Sequence, residues 1–275
     1  MRQLLLLLFV SAWLAWLPAR ALAQASQDLI LGVSEGTSGG LDHAQVIAKY
    51  KGLADLLGQT IGKRVSVVFL REFAQIEDGL KTGRLDFLIA RPSDYPAAGV
   101  RDHGYRFVAS AKPDGQCLLI VSKDSPLKTL ADARGKRWVL PEPKSYMARF
   151  CKAELRDRGI RIEAERLQYV REQGAVGFYL ENGFADIGGV ASYSGVAKSW
   201  EEKGHRVLHS SVSQPYFPLV AGPRVSASQI SAIQKRLAAL TGDAGEQALL
   251  KTIGVKAFDI ASKERLTALL AWLGE

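Results

Sequence analysis

The sequence predicts an α/β protein of two similar lobes, each a mostly parallel sheet flanked by helices, joined by a two-strand hinge with a ligand cleft between them. Three observations carry this. A helix-like stretch closing on Gly and leading through Gly-x-x-Asp into an apolar run occurs twice, as Gly83-Arg84-Leu85-Asp86-Phe87 before Tyr95 and as Gly183-Phe184-Ala185-Asp186-Ile187 before Tyr193. Glycine enters the left-handed conformation that ends a helix at least cost. Around each copy, apolar runs and helical stretches alternate as β-α-β-α-β, and near-continuous apolar strands mark a parallel sheet covered on both faces. Late in the chain, an apolar run over 215–221 held between prolines reads as a return crossing, and two crossings make a hinge rather than a free linker.

The elements follow in order. A strand over 29–33 runs into the Gly-rich loop 34–40, and a helix over 41–57 places Val46, Ile47, Leu53, Leu56 and Leu57 at helical spacing. Gly58 and Gly62 punctuate its end. A β-branched strand over 65–70, a helix over 73–80 and a strand over 86–90 complete the first round. Strand-like runs over 107–111 and 117–122 flank Lys112-Pro113-Asp114-Gly115, which reads as a turn. Residues 122–126 then read as the crossover to the second lobe. The second round is a strand over 136–140, a helix over 145–158, a strand over 160–167, a helix over 173–182 and a strand over 186–190. After the return strand come helices over 228–240, with Ser228 as N-cap, 243–253 and 262–273. The resulting division is a leader over 1–23, a first lobe over 24–122, a second over 123–214, and a return strand and C-terminal helices over 215–275 that pack back toward the first lobe.

The leader is read from Arg2, the apolar stretch 4–17, Pro18, and the small-x-small site Ala21-Leu22-Ala23. The apolar stretch falls short of the roughly 20 residues a spanning helix needs. The chain is therefore expected outside the cytoplasm, in the periplasm. The net charge is +8, with two of the cations, Arg2 and Arg20, in the leader and the others interspersed with acids. No basic stripe is interleaved with aromatics, which argues against nucleic acid. Cys117 and Cys151 are the only cysteines. In an exported chain a disulfide is the first reading, and two buried thiols is the other. No CxxC or HxxxH spacing links them to His43, His103, His205 or His209, so no metal site is expected. No Ser/His/Asp or Cys/His arrangement stands out either, so no catalysis and no cofactor are expected.

The order and spacing of several marks resemble ABC-transporter solute-binding proteins of the phosphate/phosphite/phosphonate-binding type, within the type II periplasmic binding-protein fold. The marks are Tyr50 with Leu53, Ile76-Glu77-x-x-Leu80-x-x-Gly83-x-x-Asp86-Phe87, and Pro92-Ser93-Asp94-Tyr95. They continue as Ser125-Pro126-Leu127-x-x-Leu130-x-Asp132-x-x-Gly135-Lys136, Ser145 at a helix head, Leu155 with Gly159, and Gly183-x-x-Asp186. Relatives often carry a Ser-Thr-Ser-like run where this chain has Lys144-Ser145-Tyr146. The resemblance implies a monomer that captures a small anionic ligand, a phosphate- or phosphonate-like oxyanion, for an ABC permease. The alternative it implies is a sensing subunit for a membrane histidine kinase, in one branch working through a cysteine.

Ligands of open α/β lobes meet the loops at the carboxyl ends of the parallel strands, which nominates five loops. The first is 34–40, with Glu35, Thr37 and Ser38, where backbone N–H groups can face an anion; a plain connector is the other reading. The second is Arg71-Glu72-Phe73. In the third, Arg91 offers a planar fork of donors, and Ser93 and Tyr95 add hydroxyls; the competing reading is an Arg91–Asp94 surface ion pair. The fourth is Ser145-Tyr146 at a helix start, where helix N–H groups and the Ser145 hydroxyl can hold an anion, Ser145 can cap the helix, and both can be true at once. The fifth joins Arg171 and Glu172 to Ser192 and Tyr193; the resemblance implies that an acid there receives a ligand amine, and solvated surface is the other reading. Asp86 and Asp186 are read as structural, holding loop backbone through their own hydrogen bonds.

Overall fold

The computed structural model describes residues 28–240 and 242–274, so the expected leader lies outside the described residues. Two sheets form. The first has the order β2 (Val65–Phe69), β1 (Leu29–Ser34), β3 (Phe87–Ala90), β10 (Gln214–Ala221), β4 (Arg106–Gly115), β11 (Ala257–Asp259). The second has the order β7 (Arg166–Val170), β6 (Arg137–Pro141), β8 (Ile187–Ala191), β5 (Cys117–Val121), β9 (Arg206–Ser210). Within each, three strands run parallel, and the strand that arrives from the other lobe, β10 or β5, joins antiparallel. The helices are α1 (His43–Ile61), α2 (Phe73–Lys81), α3 (Asp94–Asp102), α4 (Tyr146–Asp157), α5 (Gln173–Glu181), α6 (Gly195–Glu202), α7 (Ala227–Ala238), α8 (Ala244–Ile253) and α9 (Lys263–Leu273). None is long and apolar enough to cross a membrane.

The duplicated motif does the same job in each lobe. Gly83 and Gly183 both sit at φ 67°, the left-handed turn after α2 and α5. Three residues on, Asp86 Oδ2 accepts the Ile30 N–H at 2.8 Å, and Asp186 Oδ2 accepts the Arg137 N–H at 2.9 Å. Each carboxylate thus pins the start of a parallel strand of its lobe, β1 or β6: the role is structural, as expected, but it holds a distant strand rather than the local loop backbone. The registers then align the lobes residue by residue. Leu31 pairs with Phe87 and Val67, and Trp138 with Ile187 and Leu167. Glu35 therefore matches Glu142, Arg71 matches Arg171, and Glu72 matches Glu172.

Helix α1 shows how local chemistry and packing agree. Asp42 Oδ1 accepts the Gln45 N–H and Gln45 Oε1 accepts the Asp42 N–H, a closed capping box. The helix buries Val46, Tyr50, Leu53 and Leu57 on the first sheet, the three aliphatic side chains each worth roughly 1.5–3 kcal/mol of burial.

The crossover falls elsewhere than expected. β4 continues through Lys112-Pro113-Asp114-Gly115, because β10 and β11 supply the hydrogen bonds that a local turn would otherwise need. The chain crosses at Gln116, and β5 already belongs to the second sheet; residues 122–126 are a surface turn of that lobe. The return runs through residues 211–213. The two crossings are tied together, since Ser211 Oγ accepts the Cys117 N–H at 2.9 Å and the Ser211 N–H donates to the Cys117 carbonyl at 3.0 Å.

Other expectations shift for identifiable reasons. The strand expected over 160–167 begins only at Arg166, because Ile160 and Ile162 are buried in the second lobe's core around a 3₁₀ turn. The N-cap of α7 is Ser226, whose hydroxyl accepts the Gln229 N–H, rather than Ser228. Of the C-terminal helices, α7 and α8 pack on α1, while α9 packs on α3 and α4, with Trp272 edge-on to Phe150 at 5.1 Å. Cys117 and Cys151 form a disulfide with Cα atoms 5.4 Å apart, joining β5 to α4.

Candidate functional site: an interlobe cleft

The carboxyl ends of the parallel strands of both lobes face one another across two adjoining pockets. The outer, of about 50 Å³, is lined by the 34–40 loop with Leu41, by Phe69, Arg71, Glu72 and Phe73 from the first lobe, and by Glu142, Arg171 and Glu172 from the second. The inner, of about 10 Å³, lies between Glu35 to Ser38, Phe73, Arg91 and Pro92 on one side and Tyr146, Met147, Gln173 and Tyr193 on the other. Together these hold only a few waters, so the lobes are closed. Gln173, 1 % exposed, spans them: its amide nitrogen donates to Thr37 Oγ1 at 3.3 Å and Ser38 Oγ at 3.4 Å, while its oxygen accepts the Ala191 N–H at 2.7 Å. A Cβ on Gly39 would sit 3.3 Å from the Glu172 carboxyl carbon, so the loop's lack of a side chain permits this approach. Arg149 of α4 also pairs with Asp94 of α3.

Beneath the cleft floor lies a buried charge cluster. Glu35, 5 % exposed, accepts from Lys49 Nζ at 2.7 Å, from the Tyr50 hydroxyl at 2.5 Å, and from Arg91 Nε. Burial pushes the Glu35 carboxyl up, but Arg91 and Lys49 outweigh it and hold the group below its ordinary range. Burial and the Glu35 charge raise the Tyr50 hydroxyl, so it stays a donor. The Arg91 guanidinium lies against the rings of Phe217, Tyr216 and Tyr193 at 4.8, 5.5 and 5.6 Å, and also donates to the Ile253 carbonyl. Phe217 reaches this position from φ 48°, at the irregular register of β10 between Tyr216 and Leu219. Tyr193 stacks on Tyr216 at 3.8 Å, and burial raises its hydroxyl.

The expected site residues therefore divide. Thr37, Ser38, Phe73, Arg91, Tyr146, Arg171 and Tyr193 all line the cleft. Arg91 is not the open fork anticipated, and its partner is Glu35 rather than Asp94. Ser145 caps α4, accepting the Ala148 N–H at 3.2 Å. Ser192 accepts the Gln116 N–H at 3.1 Å at the crossing. Ser93 is fully buried beside the Tyr146 hydroxyl. Tyr95 lies on α3 stacked against Phe73 at 5.8 Å, and burial, with Glu77 and Glu142, lifts its hydroxyl to about 12. These four are outside the pocket linings. Sequence reasoning overlooked Gln173, Glu142, Lys49 and the Tyr216-Phe217 pair. It named Arg71-Glu72 and Arg171-Glu172 but missed that they recur at the same offset as Gly83 and Gly183, a signal that was present in the chain.

The charges in and directly beneath the cleft balance: Lys49, Arg71, Arg91 and Arg171 against Glu35, Glu72, Glu142 and Glu172. Arg171 approaches Glu72 across the opening at 3.8 Å, an exposed contact worth little by itself. The amino ends of α2, α4 and α5 reach the two pockets at Phe73, Tyr146 and Gln173, and a helix amino end favours an anionic group; at α2 and α5 the residues before them are Glu72 and Glu172.

Comparison with known proteins agrees with this architecture. Among solved structures, XAC2383 of Xanthomonas citri bound to ATP superposes with a TM-score of 0.71 at 17 % identity, over 90 % of this chain and 98 % of its own. PhnD1 of Prochlorococcus marinus in complex with methylphosphonate gives 0.70 at 12 % identity, over 90 % and 97 %. A binding-protein component of an ABC phosphonate transporter from Pseudomonas aeruginosa gives 0.66 at 15 %, over 90 % and 86 %. At these identities the likeness shows the fold. No curated protein matches the chain. The family model described as "ABC transporter, phosphonate, periplasmic substrate-binding protein" matches residues 40–266. The chain therefore belongs to the phosphonate-type family of periplasmic substrate-binding proteins of ABC transporters.

Proposed function

We propose that this protein captures a small ligand carrying a phosphonate- or phosphate-like oxyanion in the interlobe cleft and presents it to an ABC permease. One observation carries the reading: matched Arg71 and Arg171, one from each lobe, face a shared pocket onto which helix amino ends converge. The family supports it, as do the methylphosphonate and ATP bound by two structural neighbours. In this reading the oxyanion is held by Arg71, Arg171 and N–H groups of the 36–40 loop, with Thr37 and Ser38 hydroxyls beside it. Phe73, Tyr146 and Tyr193 wall the site. Opening and closing occur about the crossings at Gln116 and 211–213, and the Gln173 bridge holds the closed form.

The test is a thermal-shift panel of phosphonates, phosphate esters and sulfonates, repeated on Arg71→Ala/Arg171→Ala. At 100 times its Kd a ligand adds roughly 2.7 kcal/mol to stability. At least one compound should raise Tm by several degrees, and the double variant should lose that response. No stabilising compound, or an undiminished response in the double variant, refutes the assignment. Nothing among the described residues favours the sensing alternative; Cys117, the residue on which it would turn, is bonded to Cys151.

A further inference from the structure

Glu35 lies where a ligand anion would be best served. It borders both pockets, and three donors converge on it: an ammonium, a phenol and a guanidinium. Two of these are cations, each buried at least in part, and an oxyanion in the same place would satisfy the same donors. The matched residue of the other lobe, Glu142, lines the cleft with no ion pair among the described residues. The two lobes thus put the same residue type at the same place, and only one copy is wrapped by cations.

We propose that Glu35 is a resident anion and a specificity-determining residue: it occupies the cationic end of the cleft and so excludes small free oxyanions such as inorganic phosphate. The ligand's anionic group is then left to the outer pocket, at Arg71 and Arg171. A compact oxyanion with no further contacts would have to displace a tethered carboxylate from Lys49, Tyr50 and Arg91. A larger ligand need not, because it gains its affinity in the outer pocket. This inference rests on the cleft being the ligand site.

The test is Glu35→Ala, probed with formate and with inorganic phosphate by thermal shift and calorimetry. Removing the side chain leaves Lys49 and Arg91 without their counter-charge beside an opening to the cleft. The variant should bind phosphate at least about tenfold more tightly than wild type, and both anions should raise its Tm while leaving the wild-type Tm unchanged. If the variant does not fold in anion-poor buffer, either anion should restore a cooperative melt. Wild type binding phosphate as tightly as the variant would overturn the proposal. So would a variant, folded or not, that responds to neither anion. A failed phosphonate panel on wild type would count against the assigned ligand class while leaving an anion response of the variant intact, so the two failures are distinguishable.

Discussion

Glu35 and Glu142 follow the matched strands β1 and β6 of the two lobes, yet they live in opposite surroundings. Glu35 is almost fully buried and takes three donors; Glu142 is partly exposed at the cleft wall. The reason lies in what each lobe places opposite. Five residues after the Asp of the repeated motif, the first lobe has Arg91 and the second has Ala191. The two lobes share the scaffold, namely Gly83 and Gly183, Asp86 and Asp186, and the arrangement of the parallel strands, but not the charges inside it. The difference teaches that scaffold equivalence locates the cleft but does not fix its electrostatics, which depend on single side chains projecting from matched backbone.

The comparison breaks most visibly at the glutamates. Glu35→Ala should cost roughly 3–5 kcal/mol, because it leaves buried cations unpaired. Glu142→Ala should stay within about 0.5 kcal/mol. Urea unfolding of both variants in anion-poor buffer measures the gap. The same asymmetry has a pH signature. Glu35 is held below its ordinary range in the folded state, so it binds its proton later than in the unfolded chain. Its contribution is present at neutral pH and fades as pH falls through the carboxylate range. Stability of the wild type should therefore drop on acidification, and Glu35→Ala should flatten that part of the curve.

The disulfide sharpens the contrast from the other side, because only the second lobe has one. Cys117 and Cys151 are 34 residues apart. By loop entropy, Cys117→Ala/Cys151→Ala should cost roughly 3–4 kcal/mol, with hydrogen exchange rising most in β5 and α4. Smaller effects should separate the paired aspartates. Both pair with an arginine, Asp86 with Arg224 and Asp186 with Arg137, but the Asp86 side chain is 1 % exposed and the Asp186 side chain 31 %. Asp86→Ala should cost about 2–3 kcal/mol and Asp186→Ala about 1 kcal/mol. Gln173→Ala removes the interlobe bridge and leaves the buried Ala191 N–H without its acceptor, so it should cost roughly 1–3 kcal/mol and shift the free protein further toward its open form.

Much of the fold was legible because its signals are local. Apolar runs gave β1, β2, β3, β6 and β8, and glycines at φ 67° ended α2 and α5. What escaped was decided at a distance. The Lys112–Gly115 segment reads as a turn, but pairing with β10 and β11, a hundred residues later, keeps it in a strand. Helix α3 carries Pro96 in its first turn and Ala97-Ala98-Gly99 at its centre, a composition with little apolar periodicity. At the site, the loops were found because strand ends are found, and seven of the named residues line the cleft. The role of Arg91 was not legible, because its partner, 56 residues away, is fixed only once β1 and β3 lie side by side.

The most direct test of the two-lobed capture mechanism is small-angle scattering during titration with whichever compound stabilises the protein in the ligand panel. The radius of gyration should fall as ligand saturates the wild type and stay unchanged in Arg71→Ala/Arg171→Ala. A compound that raises Tm without altering the scattering curve, or compacts the double variant equally, would contradict closure of the two lobes around a ligand held between them.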